Sequence, residues 1–178
     1  MNDTPAPNTK KPDNQKLEIG DDLPDFILPM MEASRQFIQN EHNLFARLKT
    51  FRPTRIMRGQ ADFSITVPAD FSEGASASGE RVIHGGIFTI LLDTILAYTV
   101  WTRLDQFMPI ATINLKTDYL GHAEPEQAIK VMAHCEGIAD DVAFCSGKAV
   151  CAETGDVIAL AEGTFMVGTK GRSSASRL

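Results

Sequence analysis

The sequence predicts an α+β protein in which a curved antiparallel sheet wraps one long central helix, with an extra N-terminal helix. Three observations lead there. The segment from Val82 to Trp101 is apolar nearly all round once two glycines have opened it, and such a helix is buried on most sides. From Ile110 onward apolar residues recur at every second position, the period of a half-buried strand. Short turns join those strands, which favours antiparallel neighbours.

Residues 1–20 are polar and proline-rich and are expected to form a disordered tail. The segment 21–50 is expected to hold the N-terminal helix, from about Asp25 to Leu48. There Phe26, Met30, Ala33, Phe37, Leu44 and Leu48 recur at helical spacing. Pro29 should kink or restart it, and His42 should face solvent. Residues 51–170 are expected to form the domain proper and 171–178 a frayed tail. Within the domain, Phe63, Ile65 and Val67 alternate with Ser64 and Thr66 in one or two strands over 54–68, ended by Pro68. Residues 70–80 read as a small-residue loop.

Four strands follow the central helix. In Ile110 to Tyr119, Ala111, Ile113 and Leu115 alternate with Thr112, Asn114 and Lys116. In Ala128 to Gly137, Ile129, Val131 and Ala133 alternate with Lys130, Met132 and His134. Val142 to Ala152 and Val157 to Val167 complete the set. A turn at Pro125, a hairpin over Ile138 to Asp141 and the tight turn Glu153-Thr154-Gly155-Asp156 separate them, so a four-strand meander is expected.

The 178 residues suit one domain, and 43% hydrophobic content supports a real core. A formal charge of -6 argues against a nucleic-acid partner. Asp93 and Thr89, Thr94, Thr99 and Thr102 interrupt the apolar helix, which argues against a membrane span. Cys135, Cys145 and Cys151 form no CxxC pair and lie at no metal-binding spacing from a histidine. Reduced thiols in a cytoplasm are expected.

One residue in the helix calls for an explanation. At about 100° per residue, Gly86, Thr89, Asp93 and Ala97 share one narrow face. It is small and polar, while every other face is bulky. Asp93 is either a working carboxylate in a cleft or a structural one satisfied by a neighbouring hydroxyl or arginine. The helix start adds to this. Its first-turn N–H groups are free and electropositive, and Gly85 and Gly86 carry no Cβ to keep a ligand away. That is the geometry of an oxyanion site.

His84-Gly85-Gly86 followed by Leu92-Asp93 resembles the signature of the PaaI-like hotdog-fold acyl-CoA thioesterases, and the resemblance covers roughly residues 55 to 168. It implies hydrolysis of acyl-CoA without metal or cofactor. By the same resemblance, the Gly85 amide polarises the thioester carbonyl and His84 orients the site. Asp93 is general base or nucleophile, and Thr112 helps place the attacking water. Gly86 and Ser78 fall at substrate-binding positions; Ser78 stands where many relatives carry Asn or Gln, and Arg81 replaces a small residue. A homodimer that can pair into a dimer of dimers is expected, because sheet edges and the open helix face need cover. An acyl-CoA binder without turnover and an acyl dehydratase are the alternatives. Arg81, Lys116 and Lys148 are candidates to meet CoA phosphates, and His122, His134, Tyr98 and Trp101 are expected to be surface or packing residues.

Overall fold

The computed structural model describes residues 16–38, 44–75, 79 and 81–169. His42, Ser78 and the expected C-terminal tail lie outside them. The chain forms β1 (Glu18–Ile19), α1 (Ile27–Ile38), β2 (Thr50–Met57), β3 (Gln60–Thr66), β4 (Ser72–Ala75) and β5 (Arg81–Ile83). Then come α2 (Gly85–Arg103), β6 (Ile110–Tyr119), β7 (Ala128–Ala139), β8 (Val142–Cys151) and β9 (Val157–Val167).

Seven strands make one sheet in the order β1-β2-β3-β7-β8-β9-β6. All neighbours are antiparallel except β1, which runs parallel to β2. β1 lies within the segment expected to be a disordered tail. Its place is held by the Gly20 N–H donating to the Ile56 carbonyl at 2.9 Å, while Leu17 packs on the core.

The four-strand meander is not formed. β7, β8 and β9 are successive hairpins, but β6 pairs with β9 at the far edge. A tight hairpin uses about 2–5 residues, whereas residues 120–127 separate β6 from β7. That link is anchored instead. Leu120 donates to Ile158, the Ala123 carbonyl accepts from Ile83, each at 2.9 Å, and Ala123 is fully buried.

Three further expectations are revised. The N-terminal helix starts at Ile27, which is buried, and Leu44–Arg47 is a separate 3-10 turn. Pro29 causes no break, because it sits in the first turn, where its missing N–H is not needed. Within the segment expected to be a loop, Ser72–Ala75 is a strand, β4, which pairs with β5 as a two-stranded ribbon just before α2 in the chain.

α2 lies in the concavity of the sheet. Phe88, Leu91, Leu92, Ile95 and Leu96 are at most 2% exposed. Leu96 seats against two glycines on adjacent strands: a Cβ on Gly147 would stand 3.1 Å from one of its methyls, and a Cβ on Gly163 would stand 3.2 Å from the other. The alternation expected in β7 is obeyed, with Ile129, Val131 and Ala133 buried. Tyr98 and Trp101 pack edge to face at 5.9 Å, continuing a ladder from Phe51 and Phe63. Burial pushes the Tyr98 phenol above its ordinary pKa. Leu96→Ala would leave a hole that two strand backbones cannot collapse into, and about 2–5 kcal/mol of stability should be lost. Urea denaturation of the two proteins measures it.

Candidate active site

The site is built on the strip of α2 that the sheet leaves uncovered. Gly85, Gly86, Thr89, Asp93 and Ala97 are only partly buried, and Ile90 and Thr94 widen the strip. The polar face expected from helical spacing is therefore the open one.

β6 runs along this strip, and its register decides what the strip meets. A one-residue bulge falls between Thr112 and Asn114 in the pairing with β9. Side chains alternate along a strand, so an extra residue shifts every later one to the opposite face. Before the bulge Ile110 turns toward the core; after it Leu115 does. Ile113 is 53% exposed, so the regular alternation of Ala111, Ile113 and Leu115 against Thr112 and Asn114 breaks here. The result is that Thr112 and Tyr119, an odd number of residues apart, both face α2. The Thr112 hydroxyl donates to Asp93 Oδ1 at 2.9 Å, and the Tyr119 hydroxyl shares a hydrogen bond with Thr89 Oγ1.

The start of α2 is set by His84. It is the N-cap residue, and its Nδ1 accepts the Gly86 N–H at 3.0 Å. A nitrogen that accepts carries no proton, so the neutral ring holds its proton on Nε2, which faces Glu73 at 3.3 Å. Both partners of that pair are more than half exposed, and such pairs contribute about 0–1 kcal/mol. The cap is the firmer role of this histidine.

The cap also corrects the expected pair of oxyanion donors. The Gly86 amide is taken by His84, and the Ile87 amide donates to the His84 carbonyl at 3.0 Å. Among the described residues the Gly85 N–H has no acceptor, so one donor remains of the two. Neither glycine adopts a left-handed backbone. What they supply is space, and the protein's own side chains use it. A Cβ on Gly85 would stand 3.2 Å from the Tyr119 ring, and one on Gly86 would stand 3.1 Å from His84 Nδ1.

The remaining candidates fall elsewhere. Lys116 is held by Asp118 at 2.7 Å, which raises its pKa. Arg81 donates to the Ala69 carbonyl at 3.3 Å. Lys148 lines a shallow depression on the far face of the sheet with Arg55 and Glu162. His122 is exposed, and His134 pairs with Glu136 at 3.0 Å. All three cysteines are free and buried. Cys135 and Cys145 are register partners across β7 and β8, a contact that spacing could not reveal. Among the described residues no cluster of three His, Cys, Asp or Glu could hold a metal ion. A cavity of about 520 Å³, lined by Leu28, Met31, Phe51, Phe63 and Tyr98 together with the charged Glu32 and Arg52, lies between α1 and the sheet, away from the polar strip.

No family model and no curated protein matches the chain in sequence. Solved structures match it in fold. Zebrafish thioesterase superfamily member 2 is 15% identical over 80% of this chain and 98% of its own, with a TM-score of 0.66. Escherichia coli PaaI, from the phenylacetic acid degradation operon, is 17% identical over 79% of this chain and 94% of its own, with a TM-score of 0.64. The fold is the hotdog fold. A hypothetical thioesterase from Streptococcus pneumoniae, solved with coenzyme A, shares it at 16% identity over 69% of this chain and 93% of its own, with a TM-score of 0.58. That protein has also been solved with an aspartate, and separately a threonine, replaced by alanine.

In this hotdog chain the cap at α2 can be tested apart from any activity. His84→Ala should cost about 1 kcal/mol, and His84→Asn, a strong N-cap residue, should restore most of it. Denaturation midpoints at matched slopes report both. An Asn variant no better than Ala would show that the ring acts through something other than the Gly86 amide.

Proposed function

We propose that this protein hydrolyses acyl-CoA thioesters to a free acid and coenzyme A, working as a homodimer. One observation carries the reading: an Asp93 carboxylate oriented by the Thr112 hydroxyl, on the helix whose first turn keeps a free Gly85 amide. In this mechanism the thioester oxygen accepts the Gly85 N–H, which favours the charge that builds there during attack. Thr112 occupies Oδ1, and Oδ2 accepts a proton from water as the water oxygen bonds to the carbonyl carbon. The tetrahedral adduct collapses, the C–S bond breaks, and the departing thiolate takes the proton held on Asp93, which restores the carboxylate. The coenzyme A bound by the pneumococcal protein of like fold, and the aspartate and threonine substitutions made in it, support the substrate class and the residue types.

Distance argues for two chains. Gly85 and Asp93 are eight residues apart on one helix, about 12 Å at 1.5 Å per residue. Reacting atoms must come to about 3–3.5 Å. A carbonyl on the Gly85 amide therefore calls for Asp93 of a second copy. β6 supports this arrangement: it is an edge strand carrying exposed Ile113, with Ile90, Tyr119 and Leu120 exposed nearby. Edges of this kind need cover.

Release of free thiol from a panel of acyl-CoA thioesters is the direct test. Turnover of at least one member is expected, and Asp93→Asn should lower it about 100-fold or more with the fold intact. Tight binding across the panel with no thiol released would make the protein a binder instead. The two-chain site makes its own prediction. Homodimers of Asp93→Ala and of Gly85→Val should both be inactive. Purified mixed dimers should recover about half the wild-type activity, since one of their two sites is then whole. Inactive mixed dimers of folded chains would place the site within one chain.

A further inference from the structure

Tyr119 has no part in the mechanism above, yet its ring packs against Gly85, whose N–H has no acceptor among the described residues. Its ring lies against Gly85, so a Cβ there would stand 3.2 Å from Cε1 and 3.5 Å from Cζ. Its hydroxyl is tied to Thr89, one turn further along the same strip. The ring is thus fixed at two points on α2. Even so, Tyr119 remains 51% exposed, and part of the ring faces open space. The strand that brings Thr112 to Asp93 brings this ring to Gly85, and both placements depend on the β6 bulge.

A carbonyl that accepts the Gly85 N–H must bring its α-carbon within a few ångströms of that amide. The ring closes one side of this space. A methylene at the α-carbon passes it; a second carbon branching from the α-carbon needs the volume the ring occupies. We propose that Tyr119 is a specificity-determining residue, a fixed wall beside the Gly85 amide that selects acyl groups unbranched at the α-carbon. This rests on the thioester reading, which supplies the carbonyl, and goes beyond it by naming the acyl class. Excluding or admitting a single carbon in a pocket is worth about 10–200-fold.

The test compares two isomers with the same number of atoms, butanoyl-CoA and 2-methylpropanoyl-CoA. It uses the thioesters for turnover and, for binding, the ketones in which a methylene replaces the thioester sulfur. Wild type should favour the straight-chain isomer by about tenfold or more, both in binding and in kcat/KM. Tyr119→Phe keeps the ring and should keep the preference. Tyr119→Ala removes the wall and should reduce the preference to less than about threefold, mainly by improved binding of the branched ketone. Tyr119→Leu, which keeps apolar bulk at the strand end, should fall between them and serves if the alanine variant does not fold. A purely structural Tyr119 would weaken both isomers alike. An unchanged ratio in the folded alanine or leucine variant, or no preference in wild type, overturns the proposal and leaves the thioester reading standing. Binding of both ketones with no turnover of either thioester would overturn that reading while the binding ratio still judges Tyr119. If wild type binds neither ketone, both fall.

Discussion

An all-round apolar helix has to be covered, and one sheet cannot cover all of it. α2 takes the concavity of seven strands, and ten of its residues are buried. What remains is a strip along one side, and the chain spends its polar residues accordingly. Thr99 and Thr102, on the covered part, return their hydroxyls to the carbonyls of Leu96 and Thr99 at 2.7 Å, and Thr102 also accepts the Gly59 N–H at 2.8 Å. They are satisfied inside the fold, as buried hydroxyls must be. Thr89 and Asp93 lie on the uncovered strip and bond outward, to β6. The same constraint places β6 at the sheet edge beside that strip.

The helix start shows how one geometric need fixes several residues. Two glycines give room for two rings, His84 on one and Tyr119 on the other. His84 then occupies the Gly86 amide and leaves the Gly85 amide without a protein acceptor. The cap and the donor are complementary. A side chain that satisfied both amides would leave the strip with nothing to offer a carbonyl.

Much of this was legible in the sequence because two periods carry it. The 3.6-residue period located α2 and its polar face, including Asp93, and the two-residue period located β7 with its buried Ile129, Val131 and Ala133. Thr112 came from the motif resemblance, and the alternation around it misleads, because the bulge reverses phase after it. Strand order was not legible, since the pattern of β6 is the same beside β7 or beside β9. Tyr119 left no signal: an aromatic at a strand end is common, and its contact is with a glycine thirty-four residues earlier, Gly85. That His84 takes the Gly86 amide was also hidden, because histidine is an uncommon cap and its side chain, unlike that of Ser or Asp, announces nothing from sequence.

The bulge in β6 makes chain length, rather than residue identity, the sensitive variable there. Substitutions at Ile113 change only an outward side chain, whereas removing that one residue would turn either Thr112 or Tyr119 away from the helix while leaving every letter of both intact. Insertions and deletions are usually absorbed by loops. In this fold a strand carries a counted spacing, and descendants of this sequence that differ by one residue between positions 112 and 119 would have to rebuild one end of the polar strip from a different residue.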